Sequence, residues 1–140
     1  MSAEFPFTGS VAATNPTTLP MFREYAWDFN NDRFERDSNG NMILLEGNEA
    51  IKIWLYKVFK TERFMYLAYS SSYGIEINQF MGRVLSVGER KSEMRRVIKE
   101  CIMVLPYISS IDKIEFNEDE RGRVVAITVE LTTIYGKMTV

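Results

Sequence analysis

Six residues, Met94, Val97, Ile98, Cys101, Ile102 and Leu105, recur at i, i+3, i+4, i+7, i+8 and i+11, the spacing that lines one face of an α-helix, and Pro106 follows at once. Proline disfavours helical geometry in the residue before it and donates no backbone hydrogen bond, so the helix must end and the chain must turn. Upstream, Ser86 and Glu89 stand at the spacing of a capping box, which predicts where the helix begins. Downstream, Ile108–Glu118 and Arg123–Thr133 are rich in β-branched residues, and Ala126–Thr133 alternates apolar with polar side chains. The charged run Asp119-Glu120-Arg121-Gly122 joins them, which predicts an antiparallel hairpin. Gly136 then precedes Lys137–Val140, either a last short strand or a free extended tail.

The first half reads less regularly. Residues 1–22 are rich in Ser, Thr, Ala and Pro and lack regular apolar spacing, so they are expected to form an extended arm. Phe5 and Phe7 flank Pro6 and would let that arm lie along a surface, its own or a neighbour's. Tyr25, Trp27 and Phe29 alternate with polar neighbours, as in a half-buried strand. A second strand is expected near Arg33–Arg36, leading through Asn39-Gly40, a hairpin signal, into Met42–Leu45. Asp37-x-Asn39-x-Asn41 resembles the opening of a calcium loop, but Met42 stands where Gly is needed and Asn48 where Glu is needed. Asn48 is the expected N-cap of a helix running to about Lys60, with Ile51, Trp54, Leu55, Val58 and Phe59 on its buried arc. Arg63–Tyr69 has strand-like composition, and Ile75–Arg83 a short helical turn. The fold class is therefore α+β: two main amphipathic helices packed on a mainly antiparallel sheet, with the arm at 1–22 and one domain at 23–140.

The 140 residues contain no histidine and one cysteine, which removes the usual general base, the commonest zinc ligands and any intrachain disulfide. Phosphate loops, dinucleotide fingerprints and metal spacings are absent, so no cofactor is expected. Net charge is −2, which gives no cationic field for nucleic acid. Apolar runs such as Cys101–Pro106 fall far short of the roughly 20 residues of a membrane span, and the start shows no secretory signal. Glu35, Glu62, Glu76, Glu93, Glu100 and Glu115 are flanked by basic or polar residues, which suits solvated ion pairs rather than a catalytic carboxylate pair. Cys101, on the helix stripe, reads as a small buried hydrophobe. Arg90, Lys91, Arg95 and Arg96 read as the helix's solvated outer face.

The order of elements carries a resemblance. A hairpin with Asn39-Gly40, a helix opening Glu46-Gly47-Asn48-Glu49-Ala50-Ile51-Lys52, then Tyr73-Gly74-Ile75-Glu76, a second helix, Pro106 and a C-terminal hairpin follow one another over roughly residues 24 to 135. This resembles the small lysozyme-like baseplate wedge, or sheath-initiator, family of contractile phage tails, in its Gram-positive prophage and tailocin branch. The family often carries Glu-Pro-Arg where this chain reads Leu105-Pro106-Tyr107, so only the proline is retained. The resemblance implies a structural, non-enzymatic subunit of a virion or tailocin baseplate, assembled in the bacterial cytoplasm. Its implied partners are baseplate wedge proteins, contacted at Leu105, Pro106 and Tyr107, the tail sheath subunit, and the tail tube or hub. The alternative is a small α+β protein-binding module unrelated to tails.

The sequence also suggests how a sheath subunit would attach. A strand near the end of a chain tends to leave a row of backbone donors and acceptors open, and Glu130 and Lys137 are the only charges after Arg123 to guard it. The expected contact residues are Val129, Leu131, Thr133, Tyr135 and Lys137, with proline at Leu131 or Thr133 blocking attachment at small cost to the domain. On the enzymatic side, the purified protein is expected to leave peptidoglycan intact in a zymogram. Clearing that disappears when one Glu or Asp is replaced would overturn that reading.

Overall fold

A computed structural model describes residues 19–80 and 82–140. The strands and helices run β1 (Arg23–Tyr25), β2 (Trp27–Asp28), β3 (Arg33–Phe34), β4 (Leu44–Glu46), α1 (Asn48–Lys60), α2 (Val87–Ile102), β5 (Ile108–Glu118), β6 (Val124–Thr133) and β7 (Gly136–Thr139), with one 3-10 turn at Asn78–Phe80. The class is α+β, and every ladder between strands is antiparallel. The strands divide into three sheets, β1–β4, β2–β3 and β5-β6-β7, rather than joining one.

Helix α2 begins as its sequence demands. The Ser86 side chain accepts from the Glu89 amide while the Glu89 carboxylate accepts from the Ser86 amide, which completes the capping box. The helix ends at Ile102 with Met103 as its C-cap, ahead of Leu105, the residue in which Pro106 disfavours helical geometry. Leu105 donates its amide to Ile102 and accepts from Ile108, so the corner closes through two short-range bonds and Leu105 stays buried. Strand β5 starts directly after, and β6 lies between β5 and β7.

The core gathers Ile51, Leu55 and Val58 of α1, Val97, Ile98, Cys101 and Ile102 of α2, and Ile114, Val129 and Leu131 of the sheet. Asn48 does not cap α1. Gly47, at φ 66°, takes the cap position without a side-chain bond, and the Asn48 side chain instead accepts from the Thr133 hydroxyl. The helix head is thereby tied to β6 rather than closed on itself.

Two connections have the same construction. In 37–41 the Asp37 carboxylate accepts from the amides of Asn39 and Asn41, and Gly40 turns the chain at φ 83°. In 119–123 the Asp119 carboxylate accepts from Arg121 and Arg123, and Gly122 turns the chain at φ 72°. Asn39 keeps negative φ, so the Asn-Gly pair acts through its glycine and through Asp37, whose carboxylate accepts from the two backbone amides.

Arg63–Tyr69 is not a strand. Its backbone forms turns, Phe64 sits at φ 66°, and Phe64, Met65, Tyr66, Leu67 and Tyr69 are exposed. With no strand paired to it among the described residues, β-type composition alone does not hold extension. The segment is closed by a parallel bridge between Glu62 and Ile75, where Gly74 lies at φ 104°. A Cβ there would stand 2.8 Å from the Thr61 carbonyl oxygen and 3.0 Å from the Arg63 nitrogen. Gly74→Ala is therefore expected to cost about 2 kcal/mol or more, from positive φ and backbone clash together. Gly40→Ala, with nothing within 4 Å of its Cβ, should cost about 1 kcal/mol from φ alone. Urea midpoints of the two variants check the difference; equal losses would mean that the close approach at Gly74 is unimportant.

Candidate functional site

The C-terminal sheet and the corner before it hold all eight residues expected from sequence to make contacts, and the structure divides them sharply. Tyr107 is a pillar of the interior. Its ring meets Phe22 edge-on at 4.9 Å and lies parallel to Tyr135 at 6.3 Å. Its hydroxyl donates to the Pro20 carbonyl at 2.8 Å, and the Tyr135 hydroxyl accepts from the Phe22 amide at 2.9 Å. The two tyrosines thus clamp the entering chain onto the sheet. Leu105 is buried behind them, while Pro106 is exposed.

Val129, Leu131 and Thr133 all face inward on β6 and are buried. The expectation of an open edge along Val129–Thr133 is corrected by the topology. β6 is the central strand, with β5 on one side and β7 on the other. Proline at Leu131 or Thr133 would therefore sit in a central, core-lining strand, not on a tolerant edge. The alternation that identifies a half-buried strand reveals its inner face but not whether it has one neighbour or two.

Among the described residues, the edge that does lie open is β7. Val129 and Val140 exchange both backbone hydrogen bonds, at 2.8 and 3.0 Å, and the antiparallel pairs alternate from there. By that alternation Met138 and Gly136 bond toward β6, while Lys137 and Thr139 direct their amides and carbonyls outward. Tyr135 is half-buried in the turn before β7, and Lys137 is exposed on the strand itself. Beside it, the Asp112 carboxylate accepts from the hydroxyls of Thr132 at 2.7 Å and Ser110 at 3.0 Å. Those two bonds, Thr132 first, hold the Asp112 carboxyl below its ordinary range. The solvent face thus carries an acid, a hydroxyl and a cation in a row across β5, β6 and β7.

Sequence reasoning missed an apolar corner. Met103, Val104 and Ile134 are exposed, and Ile134 is brought beside Pro106 because its amide donates to the Tyr107 carbonyl at 3.0 Å. Residues 103 and 104 lie off the buried stripe of α2 whether or not the helix continues, so the signal missing from the sequence is the Tyr107–Ile134 bond, 27 residues apart, that brings Ile134 to the corner.

Among the described residues the six glutamates singled out from the sequence are dispersed rather than gathered in one cleft. Glu62 accepts from the Asn78 amide, Glu76 pairs with Arg63, Glu93 and Glu100 share Arg96, and Glu115 pairs with Lys113. Glu35 borders a polar hollow with Asp28 and Asp32. There Lys60, Tyr56 and Trp27 hold the Asp32 carboxyl low, and Asn31 does the same for Asp28, the opposite of what a general acid requires. Among the described residues no three His, Cys, Asp or Glu side chains could hold a metal ion, and no helix is long and apolar enough to cross a membrane.

Three likenesses to known proteins agree with this architecture. Residues 23–136 match the family described as the contractile injection system sheath initiator. Over 107 residues the chain is 28% identical to the phage-like element PBSX protein XkdS of Bacillus subtilis (strain 168), covering 76% of this chain and 72% of that protein. It also shares the fold of a chain in the cryo-EM structure of the anti-feeding prophage baseplate, 6-fold symmetrised, with TM-score 0.57 and 18% identity, covering 81% of this chain and 86% of that one.

Cys101 stands apart from this surface. Its thiol donates to the Ile98 carbonyl at 3.2 Å, and burial pushes it up to about 12. At pH 8 the native thiol is expected to react with a polar disulfide reagent at least about 100-fold more slowly than in urea, and Cys101→Ala to cost about 1 kcal/mol. Rapid labelling of the folded protein would show that the α2 face opens readily.

Proposed function

The chain belongs to the contractile injection system sheath initiator family, and from that membership we propose that its β7 edge takes an extended segment of a first-ring sheath subunit as a further strand. At the coarser level it is a structural baseplate component of a contractile injection system. The alternative of a binding module unrelated to tails falls with the family assignment.

The observation that carries the proposal is the unequal guarding of the sheet's two edges. β5 is long, but its register with β6 shifts at three places, and α2 packs beside it, with Lys91 reaching Glu118. Bulges of this kind twist an edge away from partners. β7 pairs regularly through four residues and carries one charge, Lys137. Strand addition needs a regular row of outward amides and carbonyls, and β7 supplies it at Lys137 and Thr139. The edges of β1, β2, β3 and β4 are only two or three residues long.

Other contacts follow from what is exposed. The corner formed by Met103, Val104, Pro106 and Ile134 is the surface we assign to baseplate wedge proteins, in place of the charged pair flanking the family's proline. The tail tube or hub is a further partner in this reading. The particle is a phage tail or a tailocin, assembled in the bacterial cytoplasm, and the subunit acts by position rather than by catalysis.

Lys137→Pro and Thr139→Pro remove outward donors without breaking the β6 ladder, so each should cost the domain about 1 kcal/mol or less while sheathed tubes fall to background. Leu131→Pro should unfold it. Thermal melts and counts of sheathed tubes in micrographs check both. Fully sheathed particles from folded Lys137→Pro and Thr139→Pro variants would exclude the β7 edge as the attachment point.

A further inference from the structure

An apolar groove of about 510 Å³ opens between α1, α2 and the sheet, outside the surface assigned above. Phe29, Phe59 and Phe80 stand at its sides, and Val97, Ile127 and Val129 line it toward the core. Its rim carries two cations, Lys52 and Arg90, and among the described residues neither forms an ion pair. The volume lies within the range of about 300–1,000 Å³ typical of ligand sites, and an apolar wall left wet forfeits the gain of burial. An occupant that fits must bring apolar rings for the wall and an anion for the rim.

Within residues 1–18 the chain contains one such segment. Glu4-Phe5-Pro6-Phe7 places a carboxylate beside two aromatic rings, and Glu4 is the only charged side chain before Arg23. Proline fixes its own φ and biases the residue before it toward extension, so less conformational freedom is lost on seating. The geometry at the arm's root allows the reach. Tyr107 holds Pro20 and Tyr135 holds Phe22, so the arm departs beside the start of β7, whereas Val140, at the far end of β7, borders the groove. Four residues of strand separate those points, about 13 Å at roughly 3.3 Å per residue. The chain from Phe7 to Leu19 extends to about 40 Å, and closing so short a loop costs little compared with recruiting a separate molecule. We propose that residues Glu4–Phe7 occupy the groove of their own chain, with Phe5 and Phe7 against the apolar wall and Glu4 facing Lys52 and Arg90.

The test uses the full chain with labelled methyl groups. In the Phe5→Ser/Phe7→Ser variant, the methyl resonances of Val97, Ile127 and Val129 should move while those of Ile108 and Leu105 stay in place. Tenfold dilution of the natural protein should leave all of them unchanged. Lys52→Glu/Arg90→Glu should reproduce the shift, and adding Glu4→Lys should reverse at least half of it. Identical groove spectra in the natural chain and the Phe5→Ser/Phe7→Ser variant would overturn the proposal. Groove signals that change on dilution would overturn it in favour of an arm from a second copy. An unchanged spectrum in the charge-reversed variant would remove the assigned role of Glu4.

Discussion

Strand β6 is held from every side, and the rest of the domain takes its position from that. Leu131 has no exposed surface, β5 and β7 flank its strand, and Thr133 holds the Asn48 side chain at the head of α1. A slip of one residue in either ladder would turn Val129, Leu131 and Thr133 to solvent and bring Glu130 and Thr132 inward. Burial therefore fixes the register, and the register fixes which backbone groups of β7 look outward. The open edge is a by-product of a fully committed neighbour.

What was legible in the sequence follows from how long each pattern is and how local its cause. The six-residue stripe of α2, its capping box and the long alternation of β6 each repeat a signal several times, and those elements appear nearly where expected. Asn48 was misread because its side chain serves Thr133, 85 residues away, and no local rule reports that partner. Arg63–Tyr69 failed for the reverse reason: aromatic composition favours a strand only when another strand is beside it. The open edge of the C-terminal sheet was half legible. Alternation located the inner face of β6, but β7, which decides where the edge falls, is four residues long and begins with glycine.

The two Asp-x-x-Gly-x loops show a local rule carried out twice in unlike settings. Asp37 and Asp119 each gather two backbone amides, one glycine with positive φ completes each turn, and both carboxyls are held below their ordinary range, chiefly by the amides of Asn41 and Arg123. One loop closes a short N-terminal excursion and the other the long β5–β6 hairpin. Each turn is specified by five consecutive residues, which leaves the flanking strands free to answer to the core.

The tyrosine clamp bears on mechanics in a particle that contracts. Tyr107 and Tyr135 fasten the chain's entry at Pro20 and Phe22 to the starts of β5 and β7, so the root of β7 shares its anchorage with the point where the chain enters the domain. Hydrogen bonds in the β6–β7 ladder lie across the strands, so a pull directed along β7 strains them together instead of peeling them in succession. A tug on the sheet edge would thus be delivered as shear to β6 and through Thr133 to α1, the geometry in which a short ladder resists load best.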